Sequence, residues 1–423
     1  MIKKWTQILR DIGFTRWKLL FFHRIEVGQI WQDGDAQPVL NQEQWICRVK
    51  IYEDFFQNRC KWTAEHSVEL DSNMAPTEIK AILEKEAKNL RKNSWPWFPM
   101  HQGPTAPGLT QESSLAKKPD MASWLEPLAR AFYEGSNKMG TLQLSVISLE
   151  TLYLDSLGRE MDHKGHWLQL HARHGAHSLK IKHGEFVPDR IRLKASRFYE
   201  ESQLLAQPAV WEGDFPNNIL LGGELPGLLF SYVLRQLDGS SLYAGDSPHV
   251  VGMPLYANLG GDTITLKPLV KLYNSPYSRW FDEEGVMLKE VELVRDGMVK
   301  AFTASQREAH LLGLPVTGHF VNFSVGPGSL SNEELRQTPY LEINDLDNFQ
   351  VDEASGEFSA TIPVAFGSPK SGQPRRAYVG LKLQGNLREL LARSRWSTAV
   401  AQKLNFEGPE FIAIPKSFLQ LTN

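Results

Sequence analysis

The sequence predicts an α+β fold in two parts, and three observations carry that prediction. Apolar and polar residues alternate in Ile46-Cys-Arg-Val-Lys-Ile-Tyr52 and in Thr141-Leu-Gln-Leu-Ser-Val-Ile147, the period of a half-buried strand. Apolar residues recur at helical spacing at Ile79, Ile82, Leu83, Ala87 and Leu90, at Trp124, Leu125, Leu128 and Phe132, and at Ile191, Ala195, Phe198 and Leu205. After Gln207-Pro208 the pattern changes to strands, Gly-Pro turns and short helices. The expectation is an N-terminal domain of antiparallel strands with packed helices over residues 1–207. A mainly antiparallel, barrel-like C-terminal domain is expected over residues 208–423.

Each element follows in order. From about Trp17 to Glu69 the alternation is broken by Gly34 and Asn58, which divides it into antiparallel strands. Pro76 stands at the first position of a helix, where its missing N–H costs nothing. Trp95-Pro-Trp-Phe-Pro99 and Gly103-Pro-Thr-Ala-Pro107-Gly108 cannot continue that helix and read as a linker or exposed loop. Asp120 is placed to cap the next helix, after which Thr141–Ile147, Leu152–Leu154 and Trp167–Arg173 return to strand pattern. The helix from Ile191 to Leu205 closes a second round of strands and helix, which suggests a duplication. Further on, Ile219-Leu-Leu feeds a Gly222-Gly223 turn, and Leu225, Leu228, Leu229, Tyr232 and Val233 mark a helix. The segment Val291 to Phe302 reads as a hairpin around Asp296-Gly297, a pair suited to a type I′ turn.

Composition bounds the function. The chain has 423 residues, 42% hydrophobic and 22% charged, with a net charge of −3, so it is ordinary for a globular protein and long enough for two domains. No basic stripe with interleaved aromatics occurs, which argues against nucleic acid as a partner. Leu19-Leu-Phe-Phe22 is too short for a signal segment and no stretch approaches a membrane span, so a cytoplasmic protein without membrane contact is expected. Cys47 and Cys60 are the only cysteines, which fits a reducing compartment better than a disulfide framework.

Several residues invite a chemical reading. Six of the twelve histidines, His163, His166, His171, His174, His177 and His183, lie within one short stretch. On one strand His163 and His171 are separated by roughly 26 Å, at about 3.3 Å per residue, so they cannot share a metal. A turn at Gly175 could bring His171, His174 and His177 closer, but no carboxylate or cysteine at ligand spacing accompanies them, and surface or cross-strand histidines are the better reading. Ser240, Ser241 and Ser247 lack a nucleophile elbow. His249 and His319 stand alone, as structural histidines do. The glycine-bordered strand holding Phe320, Asn322 and Ser324 could bind a peptide by strand addition; an internal strand explains it equally well.

The segment around Gly222-Gly223-Glu224, the Phe281-Asp-Glu-Glu-Gly285 turn, the Asp296-Gly297 hairpin, Ser305–Leu314, Thr317-Gly318-His319 and Asn322–Leu335 together resemble the TldD/PmbA family, over roughly residues 15 to 415. The resemblance implies that a His-Glu-x-x-x-His zinc helix begins at Gly223 in the catalytic TldD half of the family. Aligned on Glu224, the two histidine positions hold Gly223 and Leu228. The cysteine that the resemblance implies as a further ligand is absent too, since no cysteine follows residue 60. The pattern is that of the PmbA (TldE) branch, for which no cofactor and no metal are expected.

What the resemblance implies is a non-catalytic subunit whose partner is a TldD-like zinc protease and whose substrate is an unfolded peptide. A self-associating dimer that binds peptides independently is the alternative. Glu224 itself is either a relic of the catalytic base or a residue favoured by the helix dipole; without a metal to polarise water it has nothing to activate, and the second reading is preferred. An active enzyme with its metal moved to the histidine-rich stretch ranks last.

Overall fold

The computed structural model of the chain describes every residue except 1, 106–108, 111–119, 138–139, 176, 274, 338, 370–372 and 423. The last part of the expected proline-rich loop, Ala106, Pro107 and Gly108, lies outside the described residues.

Long alternating strands build the N-terminal half. Arg16–Gln32, Leu40–Gln57 and Cys60–Asp71 pair antiparallel in succession. The hairpin joining the last two turns at Asn58 and Arg59, whose φ values of 51° and 67° are those of a type I′ turn. Thr141–Asp155 pairs with Arg16–Gln32 from Lys18↔Asp155 to Gln32↔Thr141, and Glu160–His174 and His177–His183 extend the sheet beyond it. The two anticipated rounds therefore share one continuous sheet. The two strand pieces read at Thr141–Ile147 and Leu152–Leu154 are a single strand.

Four helices cover one face of this sheet. Helix α1 (Ile2–Ile12), which the sequence reading did not include, buries Trp5, Ile8 and Leu9, and α2 (Pro76–Ala87) buries Ile79 and Leu83. Both pack on Leu19, Phe21, Val49 and Ile51. Asp120 accepts the Ala122 N–H at the entry to α3 (Leu125–Gly135). That helix and α4 (Pro188–Leu205) cover Trp31, Leu142, Leu144 and Leu168 with Leu128, Phe132, Ala195 and Phe198. Because strand side chains alternate, Leu20 points away from the helices and reaches Phe281 of the C-terminal half.

In the C-terminal half, α5 (Leu225–Gln236) supplies Leu225, Leu229, Phe230, Tyr232 and Val233 to one core shared by three sheets of seven, six and four strands. None of the three closes into a barrel, and the ladders are antiparallel in most pairs. Asn218–Leu221 is an exception, running parallel to Tyr340–Ile343 and antiparallel to Ile412–Ile414. Four short helices follow among the described residues, α6 (Gly239–Ala244), α7 (Gln306–Leu312), α8 (Asn332–Leu335) and α9 (Leu387–Arg393). The hairpin turn at Asp296 and Gly297 has φ values of 48° and 74°, as its sequence requires. Among the described residues no helix is long and apolar enough to cross a membrane.

Candidate functional site

The central strand Asn218–Leu221 delivers the chain to the start of α5. There the Gly222 N–H donates to the Ile343 carbonyl at 2.9 Å, and the backbone is pressed against the next turn of the parallel partner strand. A Cβ on Gly222 would lie 2.5 Å from Asn344 Oδ1 and 2.7 Å from the Phe411 ring. Gly223 has φ +58°, and a Cβ there would lie 2.7 Å from the Asn344 carbonyl oxygen. An L-residue at this φ costs on the order of 1–2 kcal/mol before the collision with backbone is counted. Glu224 follows at the N-cap position, exposed, with no capping hydrogen bond from its side chain. Leu228 packs against the core.

The two positions that the resemblance aligns to zinc ligands are thus a glycine whose conformation resists any side chain and a half-buried leucine packed against the core. The residues present do not fit a zinc ion. Among the described residues no group of three or more His, Cys, Asp and Glu side chains is arranged to hold a metal. Both cysteines are in the N-terminal half, Cys47 buried and Cys60 exposed.

Glu224 lies within electrostatic reach of one half-buried cation, Lys194. Burial depresses the Lys194 ammonium of α4; Glu224 works against that, while Lys403, Arg190 and Arg197 add to it. One turn further along α4, Arg197 joins Glu342, which is 2% exposed, and donates to Glu201 at 2.9 Å. Arg375 also donates to Glu201 at 2.9 Å, and His177 lies 3.5 Å from it. Burial pushes the Glu201 carboxyl up, but the His177 hydrogen bond and the Arg197 and Arg375 charges bring it down to about 2. Asn344, whose side chain crowds Gly222, donates to Glu342 at 3.1 Å. The helix start is therefore wired to the seam between the two halves of the chain.

A second constellation forms where the Phe281–Gly285 turn plugs into the other face of the N-terminal sheet. Phe281 packs on Leu20, Tyr153 and Met161. Glu284 is gripped by Lys18 and by Lys50, the latter at 2.8 Å, with the Tyr52 hydroxyl at 3.3 Å. Arg159 donates to the Gly285 carbonyl at 2.9 Å. Gly285 has φ +72°, and a Cβ there would stand 2.2 Å from the Tyr153 ring, so the motif glycine is required by close approach. Asp282 accepts backbone N–H groups from Glu284, Val286 and His319, each at 2.9 Å.

His319, which appears alone in the sequence, is hydrogen-bonded through Nδ1 to Asp238 at 2.8 Å, 81 positions away. Burial lowers its pKa, but Asp238, Asp282 and Glu308 overcome that and raise it to about 9. Nothing in the local sequence signals this pairing. His249 is buried, with Nε2 lacking a partner among the described residues, and burial pushes it down to about 4. Ser240 takes part in the Asp238 cap of α6, and Ser247 accepts the His249 N–H at 3.3 Å.

The clustered histidines lie on neighbouring strands. His163 is buried edge-on to Phe281, His174 faces His177 across the turn, and His177 stacks on Phe198. The strand read as a possible site of peptide addition has a neighbour on each side. Phe320 precedes it, and Asn322–Val325 pairs with Leu266–Leu269 on one side and through Phe323 and Ser324 with Phe406 and Glu407 on the other. Asn322 is 1% exposed and accepts from Ser275 at 2.7 Å. With both edges filled, the strand is internal.

A sequence model of the PmbA/TldA metallopeptidase C-terminal domain matches residues 217–417, which contain both constellations' C-terminal residues. No curated protein matches the chain. Three solved structures share the fold over nearly the whole chain. A protein titled modulator of a DNA gyrase, from Thermotoga maritima, is 16% identical with a TM-score of 0.72, covering 99% of this chain and 100% of its own. Another, titled modulator of DNA gyrase, from Bacteroides thetaiotaomicron, is 15% identical with a TM-score of 0.74, covering 98% and 97%. TldE from Thermococcus kodakarensis is 16% identical with a TM-score of 0.69, covering 97% and 98%. Residues 217–417 thus match the PmbA/TldA metallopeptidase C-terminal domain, and the fold of nearly the whole chain is that of these three structures.

Proposed function

We propose that this chain is a TldE-like, non-catalytic subunit that pairs with a TldD-like zinc protease in the degradation or maturation of peptides. The observation that carries the reading is the backbone at Gly223: at the first ligand position φ is +58° and the Asn344 carbonyl occupies the space of a Cβ. A catalytic zinc site needs about three protein ligands, and the helix offers neither histidine here. Glu224 has no metal-bound water to deprotonate. The likeness in fold to TldE supports the branch. In this reading the partner supplies metal, base and water, and this chain completes the assembly and walls the peptide space.

The test is reconstitution. The purified chain alone is expected to leave an unfolded peptide library intact and to carry no stoichiometric zinc by elemental analysis. With a TldD-like partner from the same genome, cleavage is expected to depend on the partner's motif glutamate and to be indifferent to Glu224→Gln. Cleavage by the chain alone that Glu224→Gln abolishes would overturn the reading.

A further inference from the structure

Between the N-terminal sheet and the C-terminal half lies a cavity of about 200 Å³. Lys50 and Glu65 line it from one side, Arg279, Arg307, Glu308 and His319 from the other, with Phe98 as an apolar wall. Its charges are paired with one exception. Lys50 bridges Glu65 at 3.3 Å and Glu284 at 2.8 Å; Arg307 bridges Glu65 and Glu308; His319 holds Asp238.

Arg279 alone has no carboxylate at ion-pair distance among the described residues. Its one hydrogen bond is a long contact of 3.4 Å from Nη2 to the His319 carbonyl. Its Nε is shielded from solvent and has no acceptor. A guanidinium carries five N–H donors in a planar fork, and burying such a charge without a counter-ion is costly. Burial accordingly depresses its pKa, with Asp282 and Glu283 only partly offsetting the effect.

We infer that this seam cavity is a binding site for the carboxylate of an amino-acid-sized molecule, held by the Arg279 guanidinium. A fork of N–H groups matches a carboxylate in a two-point geometry. The neighbouring Glu65, Glu284 and Glu308 favour a singly charged carboxylate over a doubly charged phosphate. The volume is below the roughly 300–1,000 Å³ of larger ligand pockets, which suits one residue's worth of side chain against Phe98. Because both halves of the chain line the cavity, a bound carboxylate ties them together and stabilises the folded protein in proportion to its occupancy.

The experiment is thermal unfolding of the full chain at constant ionic strength with three probes. N-acetylleucine carries the carboxylate, N-acetylleucinamide has the same body without the charge, and inorganic phosphate tests for a general anion site. A saturable rise in Tm with N-acetylleucine alone is expected, weakened about tenfold in apparent affinity by Arg279→Lys, which keeps charge but loses the fork, and abolished by Arg279→Gln. Equal shifts with acid and amide, a response to phosphate alone, or an unchanged response in Arg279→Gln would overturn the inference. If Arg279→Gln does not fold, Arg279→Lys decides, and full affinity there overturns it. Since no partner protein is involved, this outcome is independent of the TldD-like pairing.

Discussion

The start of α5 and the Phe281–Gly285 plug are both family-like motifs, yet they have opposite characters. At α5 the backbone is closely confined while the side chains carry little chemistry: two glycines, one exposed glutamate, one core leucine. At the plug the side chains are dense with buried charge, and most of it is spent joining one half of the chain to the other. One motif is thus confined by its backbone, whereas the other holds the two halves in register through its side chains. Four measurements test this difference.

The largest effect is expected at the plug. Glu284→Ala leaves Lys18, 2% exposed, and Lys50 without their shared anion; removing one partner of a buried ion pair costs about 3–5 kcal/mol. Urea unfolding followed by tryptophan fluorescence is expected to show that loss, and an effect below about 1 kcal/mol would reduce the plug to a surface contact.

Next is an attempt to rebuild the zinc helix. The double variant Gly223→His, Leu228→His is expected to lose at least about 2 kcal/mol, from the positive φ, the Asn344 clash and the disturbed core position, and to bind no stoichiometric zinc. A folded variant that takes up one zinc per chain would show that the backbone can yield.

The third measurement is pH dependence, where the two regions separate. Glu201, held down to about 2 in the folded chain, contributes stability that is present above pH 4.5 and lost as pH falls from there toward 2. That contribution is on the order of 3 kcal/mol. His319, raised to about 9, contributes stability that is complete below pH 6.5 and lost as pH rises toward 9. Glu201→Gln is expected to flatten the acid limb and His319→Gln the alkaline limb of a stability–pH curve. If either substitution flattens the other limb, the assignment of these groups is wrong.

The smallest effect is Glu224→Gln. The side chain is exposed and caps nothing, so stability is expected to change by no more than about 0.5 kcal/mol, with chevron or melt measurements showing parental values.

Much of the frame was legible because it rests on local pattern. Alternation over Ile46–Tyr52, Pro76 opening α2, Asp120 capping the entry to α3 and the Asp296-Gly297 turn each act within a few residues, and each is found where the sequence reading puts it. Helix α1 rests on the same kind of local pattern, with Trp5, Ile8 and Leu9 at helical spacing. The internal position of Asn322–Val325 was not readable, since an internal strand and an edge strand share one alternation until the partners on both sides are known.

By itself the sequence determined which ligands could exist. Gly223 and Leu228 stand where the resemblance expects histidines and no cysteine follows residue 60, and no arrangement in space can supply an imidazole or thiolate that the chain lacks there. Only the tertiary structure decided what the remaining groups do. It brought His319 to Asp238, Arg197 to Glu342 and Glu284 to Lys18 across 81, 145 and 266 positions, and it left Arg279 with no carboxylate at ion-pair distance among the described residues. The reason is physical: identity is carried by each residue alone, but the strength of a charge is set by the partners and the dielectric that folding places around it.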